Sequence, residues 1–152
     1  MANPSTPATV TLVVRRTIRA SPRRLFAAWT EPAQLRRWWG PEGVRCVGAE
    51  VDLRVGGQYR IDNALPGGEL LSIVGEFERI EPPHRLVYTW RVDGTPVAFE
   101  RVTVRFEADA AGSTEVIVTH ERIVNEAVRE QHRRGWEGCL QGLAREVTAG
   151  QG

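Results

Sequence analysis

The chain of 152 residues contains no lysine; all 20 of its basic residues are arginine. That absence excludes a lysine Schiff base, a pyridoxal phosphate anchor and the lysine of a Walker-type phosphate loop. Cysteine is nearly absent too. Cys46 and Cys139 lie far apart and form no CxxC pair, so neither a zinc cluster nor a disulfide framework is signalled, and the expected setting is a reducing cytoplasm. No apolar run approaches the ~20 residues that span a bilayer. The opening MANPSTPATV lacks the charged segment and apolar run of a secretory leader, so a soluble, unexported protein without membrane insertion is expected. Charge of one sign is also missing. The net charge is +1, with 20 basic and 19 acidic residues scattered through the chain, which makes nucleic acid an unexpected partner.

What is present fits one domain, expected over residues 9–148, with flexible termini at 1–8 and 149–152. Residues 9–18 are rich in β-branched side chains and predict a strand. Ser21 before Pro22 and Glu31 before Pro32 are helix starts, with a capping residue followed by a proline whose missing N–H costs nothing there. Leu25, Phe26 and Trp29, then Leu35, Trp38 and Trp39, supply apolar stripes for two short helices that stop at Gly40 and Pro41. From Val44 to Ile123 the sequence alternates and is broken by turn signals at Gly56-Gly57, Pro66-Gly67-Gly68, Pro82-Pro83, Asp93-Gly94 and Ala111-Gly112, which predicts six more strands. Gly56-Gly57 lacks the GxGxxG spacing and reads as a hairpin turn. Leu86, Tyr88, Trp90 and Val92 share one face of a strand, and Val102, Val104 and Phe106 share another. Alternation of this kind describes a sheet with one covered face and one wet face.

The cover is expected to be a long last helix, capped by Asn125 and running from Glu126 to about Thr148. At ~100° per residue, His132, Trp136, Cys139, Leu140, Leu143 and Val147 fall on one broad face. Gly135, Gly138 and Gly142 run along its edge. Each interior glycine costs a helix ~1 kcal/mol relative to alanine. The stripe therefore calls for either close helix-to-sheet contact or free volume.

Strand, two short helices, a six-strand meander and a long helix is the order of the helix-grip fold. The segments AAWTEPAQLRRWWGPEG (27–43), VDLRVGGQYR (51–60), RIEPPHRLVYTW (79–90), THERI (119–123) and HRRGWEGCLQGL (132–143) resemble the START-like (SRPBCC) superfamily. Within it they are similar to the branch of the C-terminal domain of the activator of the heat-shock-protein-90 ATPase, in its single-domain bacterial form. The resemblance implies an α+β fold in which a curved antiparallel sheet of about seven strands wraps the C-terminal helix. It implies members that bind apolar small molecules, sequester natural products, act as cyclases or dehydratases, or assist a chaperone. The full-length activator carries a further N-terminal domain for which this length leaves no room, so co-chaperone activity is not expected.

The leading expectation is a cofactor-independent domain that encloses an apolar or aromatic small molecule between sheet and helix. Candidate lining residues are Tyr88, Trp90, Phe106, Trp136, Gly135, Gly138, Cys139 and Gly142, because aromatic walls and missing side chains both suit a ligand. No metal site is expected. A second reading is acid/base catalysis of cyclisation or dehydration by His120 and His132 on a polyketide-like substrate. His120 shares strand parity with Val116 and Val118, His132 sits on the helix's apolar face, and the two are expected to meet at one mouth of the cavity. The structural alternative is a hydrogen bond from His132 to the sheet end or to a helix partner, and a strand-end pairing with Glu121 or a backbone carbonyl for His120. A third reading is a protein partner, as in chaperone activation. Glu76 reads as solvated and His84 as a turn residue.

Overall fold

The computed structural model describes residues 9–40, 43–96 and 98–149. Of the tails expected to be flexible at 1–8 and 149–152, residues 1–8 and 150–152 lie outside the described residues, and Ala149 belongs to the last helix. Strand β1 (Val10–Ile18) is followed by helices α1 (Pro22–Thr30) and α2 (Pro32–Trp38), strands β2 (Arg45–Val51), β3 (Gln58–Ala64), β4 (Leu70–Glu81), β5 (Arg85–Val92), β6 (Glu100–Ala108) and β7 (Thr114–Ile123), and helix α3 (Glu126–Ala149).

The helix starts follow from their capping residues. Ser21 Oγ accepts from the Arg24 N–H at 3.1 Å, and Asn125 Oδ1 accepts from the Val128 N–H at 2.9 Å. Glu31 closes α1 and precedes Pro32 in α2, but its carboxylate takes the Gln34 amide at 2.8 Å instead of a backbone N–H.

The strands form one curved antiparallel sheet in the order β1-β7-β6-β5-β4-β3-β2. The meander supplies six strands by simple succession, and β1 closes the order by pairing with β7. Its inner face carries Leu12 and Ile18 of β1, Leu86 and Tyr88 of β5, Val102, Val104 and Phe106 of β6, and Val116 and Val118 of β7, all buried. Helix α3 lays Trp136, Cys139, Leu140, Leu143 and Val147 against this face. Each fully buried Leu or Val there contributes about 1.5–3 kcal/mol.

The placement of α3 is asymmetric. It packs against β1, β7, α1 and α2, and stands off strands β3, β4 and β5. The space left on that side is where the site lies.

Candidate functional site

Between the N-terminal half of α3 and strands β3 to β5 is a cavity of about 340 Å³. Its walls are mostly apolar, Trp39, Leu71, Ile73, Trp90, Val92 and Trp136 among them, with Gly135 and Cys139 on the helix side. Asn63, Gln131 and His132 are its polar lining residues. A smaller apolar void of about 20 Å³ lies deeper, beside Trp29, Tyr59, Phe77 and Tyr88.

A hydrogen-bonded cluster backs the helix side of the cavity. Glu100, the first residue of β6, accepts at Oε1 from His120 Nε2 at 2.6 Å and from His132 Nε2 at 3.0 Å. The imidazoles lie nearly parallel with centroids 4.6 Å apart, and the Trp90 ring meets both edge-on. The Trp136 indole N–H donates to His120 Nδ1 at 3.0 Å. An indole N–H can only donate, so His120 Nδ1 carries no proton, and the neutral ring holds its proton on Nε2, facing Glu100.

The electrostatics agree with that proton placement. Burial pushes the His120 imidazole below its ordinary value; the Glu100 hydrogen bond opposes the shift without reversing it, and neighbouring His132 adds to it. Burial works to raise the Glu100 carboxyl, but the hydrogen bonds from His120 and His132 overcome it and hold the group below its ordinary value. The cluster is thus an ionised carboxylate receiving two imidazole N–H bonds.

Glu100, His120 and His132 bring their ligand atoms within 4.8 Å of one another. A cation on His120 Nε2 would move the ring proton to Nδ1, where it would oppose the Trp136 N–H donor. The donor set as hydrogen-bonded therefore suits a proton network better than a metal.

The expected lining residues separate into distinct places. Trp90, Trp136, Gly135 and Cys139 line the cavity, as does His132. His120 does not, being fully buried between Glu100 and Trp136. Its expected partner Glu121 is replaced by Glu100. Phe106 is 1% exposed and packs edge-on against Phe26 and Trp29 in the core, because α1 covers that part of the sheet. Tyr88 lines only the small inner void, where its hydroxyl accepts from Trp29 Nε1 at 3.2 Å. The Cys139 thiol is pushed up to about 12 by burial, so it is a wall and not a nucleophile.

The glycine stripe also divides. A Cβ on Gly135 would meet nothing within 4 Å, whereas one on Gly142 would lie 2.6 Å from the Trp38 carbonyl oxygen at the end of α2. Gly135 leaves volume and Gly142 permits contact. Gly138 borders outer grooves, beside Arg133 and Gln141 on one side and Arg45 and Arg145 on the other.

Glu100 and Asn63 are among the site residues that escaped the sequence reading. Glu100 has the same parity as Val102, Val104 and Phe106, and Asn63 the same parity as Tyr59 and Ile61. That shared parity was the available signal. Both are polar residues at strand ends, where an inward reading built on apolar residues stops one position short. His120 also sits at a break. Immediately after it the β1–β7 register slips, and Arg122 adopts a left-handed φ of 67°.

The family described as Activator of Hsp90 ATPase homolog 1-like protein (AHSA1) matches residues 19–148. The chain belongs to the AHSA1-like family. Among solved structures, a protein from Chromobacterium violaceum is 28% identical, with a TM-score of 0.81 over 90% of this chain and 96% of its own. The AHSA1 protein of Silicibacter pomeroyi is 25% identical, with a TM-score of 0.81 over 92% and 99%. The AHSA1-like protein of Aeromonas hydrophila, solved in solution by NMR, is 26% identical, with a TM-score of 0.76 over 93% and 94%. No curated protein matches the sequence. Among the described residues of this AHSA1-like chain, no helix is long and apolar enough to cross a membrane.

Proposed function

We propose that this AHSA1-like protein binds an apolar or aromatic small molecule in the cavity between its sheet and α3. The observation that carries the reading is the cavity itself. About 340 Å³ stays unfilled beside three tryptophans, while the inner face under the second half of α3 is packed. That volume lies at the low end of the ~300–1,000 Å³ usual for ligand pockets. Gly135 supports the reading further, since a side chain there would enter open space.

Gly135→Leu tests it. The uncharged dye Nile red should bind the native protein saturably, as read by its fluorescence, and the variant should lose that binding while its thermal melt is retained. A variant that folds and binds as before would remove the cavity from consideration.

The Glu100–His132 hydrogen bond favours a second reading, general acid/base chemistry on the bound molecule. His132 is the group at the cavity wall, and Glu100 is suited to orient it. His120, with both ring nitrogens committed, would act as a positioning residue. This reading requires turnover of a bound compound that disappears in His132→Gln while binding persists. Turnover unchanged by that substitution would reject it.

A further inference from the structure

We infer that the free edge of β1 takes a short, extended, acidic peptide segment of another protein, laid as a further strand in the groove between β1 and the outer side of α3. This groove shares no lining residue with the cavity, so its occupancy does not depend on the ligand.

β1 ends the sheet. It pairs with β7 on one side, and among the described residues no backbone group of another element hydrogen-bonds its other side. Val13, Val14, Arg15 and Arg16 all border a groove of about 680 Å³ there. Successive strand side chains point to opposite faces, so four consecutive residues can border one groove only where it runs along the backbone edge. Edge N–H and C=O groups with no strand beside them are a template for one more strand.

The groove walls select the kind of strand. α3 brings Arg133, Arg134, Glu137 and Gln141 to the groove. Arg15 has Glu115 at 3.7 Å and Arg133 has Glu130 at 2.9 Å, but Arg16 and Arg134 are exposed and make no ion pair with a described residue. Arg16 has the parity of the buried Leu12, Val14 and Ile18, which turns it to the α3 side of the edge. The two unpaired charges therefore lie on one side of the groove.

Charge also separates the possible occupants. A second copy laid on β1 would bring its own Arg15 and Arg16 against these arginines. A continuous phosphate backbone would pass Glu137 on the groove wall and Glu115 and Glu130 at its margin. A strand with a carboxylate at every second position carries its charge on a single face, which can be turned toward Arg16 and Arg134.

Fluorescence anisotropy of the full chain tests this with labelled peptides of about seven residues, the length of an ordinary strand. A peptide alternating threonine and glutamate should bind, and its glutamine counterpart should bind about tenfold or more weakly. Methylating the backbone nitrogens along one edge of the glutamate peptide keeps its charge and removes its strand bonds to β1, so it should abolish binding. Arg16→Gln combined with Arg134→Gln, both at exposed positions, should weaken binding about tenfold and leave the thermal melt unchanged. A glutamate peptide that does not bind, a glutamine or methylated peptide that binds as well as the glutamate one, or a double variant that folds and binds as before would each overturn the proposal. So would tighter binding of a DNA oligonucleotide of equal charge, or a native dimer in sedimentation that the peptide dissociates, which would give the edge to a second copy. Should the double variant fail to fold, the three peptides on the native protein decide.

Discussion

From Gln131 to Trp136, α3 faces open volume and a polar cluster; from Leu140 to Val147 the same helix lies buried against β1 and α2. The two halves share one apolar stripe and one glycine edge. What differs is the surface opposite. The first half looks across the cavity to β3 and β4 and meets β5 through His132 against the Trp90 ring, and the second half meets α2 closely enough that Gly142 has the Trp38 carbonyl where its Cβ would be. One helix thus serves as a wall of a cavity and as the centre of a core. Substitutions along it should therefore cost stability at one end and change binding at the other.

The largest expected effect is at the packed end. Gly142→Leu forces a branched side chain into the Trp38 backbone and should cost about 3 kcal/mol or more, a large share of the ~5–15 kcal/mol of a marginally stable domain, and lower the urea midpoint sharply. If this variant melts like the native protein, α2 and α3 are not in close contact and the contrast fails. Next comes Leu143→Ala. Leu143 has no solvent exposure, and its truncation should cost about 2–5 kcal/mol in chemical denaturation.

Acid acts on the cavity end. The His120 value in the folded protein lies below its ordinary 6.5, so the unfolded chain takes up that proton first. Its contribution to stability is complete above about pH 6.5 and drains as pH falls toward the folded value. Glu100 is likewise depressed below 4.5; its contribution is present above that value and is lost as pH falls through the folded one. Both groups weaken the protein on acidification, His120 first. Denaturation between pH 7 and pH 5 should show this loss, and His120→Gln should flatten it. A variant with an unchanged acid slope would remove His120 as its source.

The smallest expected effect has the opposite sign. Gly135→Ala adds a methyl group to open space in a helix interior and should stabilise by about 0.5–1 kcal/mol, a rise of roughly 1–4 °C in a thermal melt. Gly142→Ala should lower the melt instead. The same substitution, seven residues apart on one helix, measures the difference between the two surroundings directly.

Much of this contrast was legible in residue order. Alternation in VIVTH turned His120 inward with Val116 and Val118, and helical spacing put His132, Trp136 and Cys139 on one face. Ser21 and Asn125 marked helix starts through a local hydrogen bond each. Phe106 shows where such reasoning ends. Its parity correctly made it inward, but inward at that register meant contact with Phe26 and Trp29 instead of a ligand cavity. Glu100 was as legible as Phe106, lying on the same face of the same strand. Its role was not, because its two partners come from β7 and α3, 20 and 32 residues away.

The sequence by itself determined the elements, their order and the face each side chain takes, since capping, turn chemistry and hydrophobic period act over a few residues. Tertiary structure alone decided how far α3 stands from each strand. That distance depends on the packing of α1, α2 and the sheet together, and it separates Gly135 from Gly142 and draws Glu100 between two histidines.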